Sequence, residues 1–226
     1  MEIFVYFDTF GKAFPNSANQ RNVSGHCMTT HIFKETEIMQ DFRDQAKKNG
    51  VTLLDKGRCQ FCGADYQKGI FDCMDNYNNG LQLLDFNNSE HHISRFLSVD
   101  AHALQHPEIH GRWSNHFHLT RLNLLDKKQT WDYKKSPLLS DYLNDYKQNR
   151  PNEFLVLPKP LDRGKITAKD LIKATTADEC VELIKKWADE VYHSWSSSHS
   201  IVSQIADGFL DNNYYGKIQG RKTTNR

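Results

Sequence analysis

The chain has 226 residues, with 29 basic and 28 acidic side chains and a formal charge of +1. That balance excludes the global positive field that drives nonspecific nucleic-acid binding, and no apolar run approaches the roughly 20 residues needed to cross a bilayer. Hydrophobic residues reach 38% and aromatics 12%, which fits one packed domain with an appendage better than a disordered chain.

In chain order, Met1 to Asp8 lacks a basic n-region and makes a poor signal peptide. Ile3 to Phe7 is aromatic and β-branched and reads as a short β segment. Gly11 to Gly25 reads as loop. Ile38, Met39, Phe42 and Ala46 recur at helical spacing over 34–48, which stops at Asn49-Gly50. A helix follows over 73–86 through Tyr77, Leu81 and Leu84. The next runs from Ser89, read as its N-cap, to Gln105, where Pro107 enforces the end. Another spans 113–125. Residues 126–165 are polar and interrupted by Pro137, Pro151, Pro158 and Pro160, with room for a short helix over 138–146. Thr167 caps a short helix to Lys173. Thr176 with Glu179 has capping-box spacing and opens a helix drawn to about Ala206, its stripe running through Cys180, Ile184, Trp187, Val191, Trp195, His199 and Val202. The fold class is therefore mainly α. Its parts are an N-terminal extension over 1–57, a zinc-knuckle plus helical domain over 58–215, and a basic tail over 216–226.

Seven of the eleven histidines and three of the five cysteines fall between residues 59 and 118. Thiolate and imidazole are the side chains that bind zinc-like metals best. Cys59-Gln60-Phe61-Cys62-Gly63 is the strongest local signal, since a CxxC turn directs both sulfurs at one point and the glycine frees its amides to face them. Cys73 is a reasonable third ligand. Free or redox thiols are the competing reading, but no βαβ context surrounds the pair. His102 and His106 share a helix face four apart, although the glutamate of an HExxH motif is absent because Ala103 follows His102. Taken singly, His91, His102, His110 and His116 read as capping or surface groups; His106, beside Pro107, is the better ligand. His199 lies on an apolar stripe, where a histidine is more often a satisfied core residue. An odd cysteine count with one CxxC suits a reducing cytoplasm. No nucleophile elbow, P-loop or dinucleotide glycine motif is present.

The order CxxCG, a later cysteine, Val99-Asp100-Ala101-His102-Ala103-Leu104-Gln105-His106-Pro107, Phe117-His118-Leu119 and Trp187-Ala188…Trp195…Ser198-His199 resembles an uncharacterised bacterial family, domain-of-unknown-function family 5946. The resemblance covers roughly 58–206 and departs from the family pattern at His102, where the family has tyrosine, at Arg95 and at Ser198. It carries over to Cys59, Cys62, Cys73, Asp100, Gln105, His106, His118 and His199, and implies no activity. Three functions follow as expectations. The first is a zinc protein with a structural site of three cysteines and one histidine, namely Cys59, Cys62, Cys73 and His106. The second is a metal-dependent hydrolase whose open metal position is lined by His106, His118 and His199, with Asp100 as base or orienting carboxylate. The third is a protein- or nucleic-acid-binding module using the knuckle and the basic tail. Near-zero net charge makes nucleic acid the weaker partner, and no membrane is expected.

Overall fold

Helical spacing and capping decide the architecture in the computed structural model, which describes residues 40–85, 87–128 and 132–211. The described part of α1 is residues 40–48, which buries Phe42 and Ala46 one turn apart and ends at Gly50 with φ +74. Its face joins the main core. The stretch 40–49 is thus packed against the body through Phe42 and Ala46, and Asn49 ties its end to the Glu108 and His110 carbonyls. The short β segment expected at residues 3–7, the first 39 residues and the basic tail lie outside the described residues. Among those described, the only β feature is an isolated parallel bridge between Gly57 and Lys68.

Helix α2 (Ile70–Gly80) continues as a 3-10 turn over Leu81–Leu83. It packs on α6 (Ala168–Leu171) at Gly80, where a Cβ would stand 2.4 Å from the Leu171 Cβ. Only glycine fits that approach. Helix α3 (Ser89–Gln105) is the central element, with α4 (Arg112–Lys128) and α7 (Ala177–Ser194) against it. Its N-cap is Asn88, whose side chain accepts from the Glu90 amide at 2.9 Å, and not Ser89, which is already helical. Asparagine and serine cap about equally well, so spacing alone left the boundary one residue open.

Helix α5 (Ser136–Asn149) and α8 (His199–Asp211) pack with α4 around a smaller core of Leu124, Leu139, Leu143, Ile205, Ala206 and Phe209. The long helix expected from Thr176 to about Ala206 is two helices, separated by a 3-10 turn over Ser196–Ser198. The serines explain the break. Ser194 Oγ donates to the Val191 carbonyl at 2.6 Å, and Ser198 Oγ both accepts from the Val156 amide and donates to the Val156 carbonyl. Serine hydroxyls that satisfy backbone groups locally compete with the helical ladder. Thr176 caps α7 as its spacing predicts, accepting from the Glu179 amide at 3.2 Å, while the Glu179 carboxylate reaches past the cap to the Thr175 amide and hydroxyl.

The polar stretch before α6 is anchored by Arg163, fully buried, whose guanidinium donates to the Pro158 and Gln105 carbonyls and pairs with Glu108 at 2.6 Å. That clamp holds the loop over the C-terminal end of α3. No helix among the described residues is long and apolar enough to cross a membrane.

Candidate metal centre

The knuckle is a tight turn closed by two backbone bonds, Cys59 N–H to the Ala64 carbonyl and Gly63 N–H to the Cys59 carbonyl, both 2.9 Å. Gly63 adopts φ +80, which a side chain would strain. The chain then returns through Gly69, φ +58, packed so closely on the Leu54 carbonyl that a Cβ would meet it at 2.4 Å. Helix α2 starts there and puts Cys73 on its first turn, facing the knuckle. Asp72 steadies this return by accepting from the Gln67 and Lys68 amides at 3.0 and 2.9 Å.

His106 arrives from the other side. It is the C-cap of α3, with φ −126 and ψ 45, and Pro107 prevents the helix from continuing. Its Nδ1–H donates to the His102 carbonyl at 2.6 Å, which fixes the tautomer and leaves Nε2 as the ligating atom. That nitrogen lies 3.5 Å from Cys59 Sγ and 3.4 Å from Cys73 Sγ, and the Cys62 and Cys73 sulfurs are 3.8 Å apart. All four ligand atoms fall within 4.8 Å of one another, and all four residues are buried. No other group of three or more histidine, cysteine or acidic side chains converges in this way among the described residues.

Protonation reflects the crowding. Hydrogen bonds from Cys62 and Cys73 hold the Cys59 thiol far below its ordinary range, against the effect of burial. The Cys73 thiol is pushed up by hydrogen bonds to Cys59 and Cys62 and by burial. Burial pulls the His106 imidazole down, but the Cys59 and Cys62 sulfurs outweigh it and push it up to about 10. A thiolate beside an imidazolium is a site whose protons a metal cation can replace. Burial, then charge on Cys73 and Cys62, push the Tyr66 phenol up, so a protonated hydroxyl stands beside the sulfurs.

Sequence reasoning understated His102. It is fully buried, its ring stacks on His106 at 4.1 Å, and its Nε2 is 3.9 Å from Cys73 Sγ. Burial and the His106 charge depress its protonation well below the usual value, so it is a neutral imidazole packed behind the ligands. The signal was the four-residue spacing to His106.

His118 and His199 stand outside this group. His118 Nδ1 donates to Asp100 Oδ1 at 2.7 Å, and the same carboxylate receives Arg121 and, at 3.3 Å on Oδ2, the Tyr133 hydroxyl. His199 Nε2 donates to the Tyr192 carbonyl at 2.9 Å, with its ring stacked on Tyr192 at 4.1 Å. His106, His118 and His199 do not converge on a common metal position: the group whose ligand atoms come together among the described residues joins His106 to the three cysteines and includes neither His118 nor His199. Of the residues read as ordinary, His91 accepts the Asp85 amide at 3.0 Å near the start of α3, and His116 donates to the Arg112 carbonyl at 3.0 Å while stacking on Trp113. Gln105 donates to the Arg163 and Ile166 carbonyls and holds the loop, not a ligand.

The molecule so defined is a helical body closed by a cysteine–histidine centre. A model described as "Family of unknown function (DUF5946)" matches residues 57–196, and the chain belongs to that family. No curated protein and no solved structure matches the chain.

Proposed function

We propose that this is a zinc protein in which a single structural ion, bound by Cys59, Cys62, Cys73 and His106, fastens the knuckle to the end of α3. The spacing of the ligand atoms carries the reading. Zinc bonds of about 2.3 Å to sulfur and about 2.05 Å to nitrogen put tetrahedral ligands about 3.8 Å apart for two sulfurs and about 3.6 Å apart for sulfur and nitrogen. Three of the six separations here, Cys62–Cys73 at 3.8 Å and His106 to Cys59 and Cys73 at 3.5 and 3.4 Å, match these values, and all six lie within 4.8 Å. Four protein ligands leave no position for water, which makes the site structural and not hydrolytic. All four described cysteines are free thiols, a state that suits a reducing compartment such as the cytoplasm.

The ion would tie the knuckle and the start of α2 to the distant end of α3, so its coordination energy would be folding energy. Elemental analysis of purified protein is expected to give zinc in a form lost with Cys59→Ser. Chelation, verified by metal content, is expected to lower the melting temperature sharply. An unchanged melt after complete metal removal would overturn the reading.

A further inference from the structure

The polar cluster around Asp100 is built differently from the cysteine centre and is not explained by it. Asp100 is fully buried and engaged on both oxygens: Arg121 and His118 occupy Oδ1 and Tyr133 reaches Oδ2. The carboxylate is thus an orienting group. What it orients is His118, whose Nδ1–H it accepts, leaving the Nε2 lone pair without a hydrogen bond among the described residues. The side chain of His118 is 11% exposed, so solvent reaches it.

A second imidazole faces the same region. His110 is buried, and its Nε2 has no hydrogen-bond partner. The segment carrying it is held by Asn49, which donates to the Glu108 and His110 carbonyls at 2.7 and 3.1 Å, so the ring is fixed and not a loose surface group. Its centre is 6.1 Å from that of His118. Desolvation lowers the protonation of both rings, further lowered for His110 by His118, so both offer lone pairs and not positive charge at neutral pH. A buried polar atom with no partner calls for a water, an ion or a catalytic role to complete it.

We infer that His110 and His118 form a second site, for a divalent transition cation of the zinc class, with Asp100 orienting His118. Zinc–nitrogen bonds of about 2.0–2.1 Å set two imidazole centres on one ion about 5 Å apart at the tetrahedral angle and up to about 6.4 Å apart when opposed. The observed separation falls inside that span, toward its open end. Imidazole suits zinc, nickel, copper and cobalt, whereas calcium and magnesium prefer oxygen ligands. A carboxylate on the far nitrogen of a ligating histidine fixes its tautomer and raises its basicity. With two protein ligands the remaining positions would go to water entering from the His118 side, whose side chain is 11% exposed, so this ion would exchange more readily than one enclosed by the cysteine centre. This second site stands or falls independently of the structural zinc reading.

Cobalt(II) is the probe, because thiolate ligands give a charge-transfer band that imidazole ligands do not. Titration of metal-free full-length protein is expected to take up two ions per chain, with the charge-transfer band complete at the first. His118→Gln and His110→Asn are expected to keep the band and lose the second ion. Asp100→Asn is expected to weaken the second ion about 10- to 100-fold. Uptake that stops at one ion, or a second ion undiminished in both histidine variants, overturns the inference. Should the variants lose the band through misfolding, nitrogen-15 spectra of the wild-type imidazoles decide. The His110 and His118 resonances must move with the second equivalent of zinc, and unmoved resonances overturn the proposal. Two ions bound with no charge-transfer band would sink the cysteine reading while leaving this one standing.

Discussion

His106, at the C-cap of α3, and His118, within α4, lie twelve positions apart, and each has its Nδ1 locked by a hydrogen bond. The partner differs. A backbone carbonyl holds His106 and leaves Nε2 among the cysteine sulfurs, whereas a carboxylate paired with Arg121 holds His118, whose ring centre lies 6.1 Å from that of one more imidazole. The first arrangement gathers four buried groups that could hold a metal and would gain stability from it. The second carries a buried carboxylate already compensated by Arg121, and its stability depends on that ion pair remaining intact. On the readings proposed above, the same residue type would serve folding in one place and stay chemically open in the other.

The largest way to break this contrast is to empty the cysteine centre. Chelation or Cys73→Ser is expected to cost several kcal/mol, a fall on the order of 10 °C or more in melting temperature for a chain of this size. Scanning calorimetry with metal content measured on the same sample checks it, and the Asp100 region should not rescue the loss.

Next comes Asp100→Ala, which leaves Arg121 buried without its counter-charge. Stripping one partner from a buried pair costs about 3–5 kcal/mol, readable in a urea titration. Metal content at the cysteine centre should be unchanged, and a parallel loss of zinc would mean that the two regions are one unit.

Acid sharpens the comparison. His110, His116 and His118 are each depressed by burial, so the folded state holds them neutral while the unfolded chain protonates them near the ordinary value of 6.5. The unfolded state then binds more protons, and stability rises with pH in that window. Full stability is expected above about pH 6.5, with progressive loss below it as the unfolded chain takes up protons. His116→Gln should flatten the pH dependence measured by chemical denaturation without touching metal content. A profile identical to that of the wild type would remove His116 from the account.

The smallest effect is a control shared by both regions. Asn88→Ala removes the cap of α3, the helix that carries Asp100 and ends at His106, and should cost about 1 kcal/mol. Its metal stoichiometry should match the wild type.

The cysteine centre was legible because its signals are local. CxxCG describes a turn, Cys73 follows closely enough to fold back on it, and Pro107 marks where α3 must stop and present His106. The residues around Asp100 were only half legible. Asp100 and His118 came forward through the family resemblance, but Arg121, Tyr133 and His110 did not, since their meeting depends on how α3, α4 and the 3-10 turn at Tyr133 pack. The partner of His199 was not legible for a related reason. Its place on an apolar stripe assumed one continuous helix, and the serine turn before α8 sends it to Tyr192 instead. The helical class was plain throughout, because capping residues and periodic apolar positions act within one or two turns; the break at Ser196–Ser198 was not, because the partner of Ser198 is Val156, 42 positions away.

The spacing of the four ligands also bears on the order in which the chain assembles. Cys59 and His106 are separated by 47 positions, and Cys73 and His106 by 33. If an ion occupies the site, the three sulfurs that would catch it lie on a segment short enough to form before α3 is complete. His106 would then close a ring through the ion, as a disulfide does. A covalent closure of that length removes about 4 kcal/mol of chain entropy from the unfolded state. On the proposed reading the ion would act as a reversible crosslink that the nascent chain acquires in two stages, first as a bead on the knuckle and then as a lock on the end of α3.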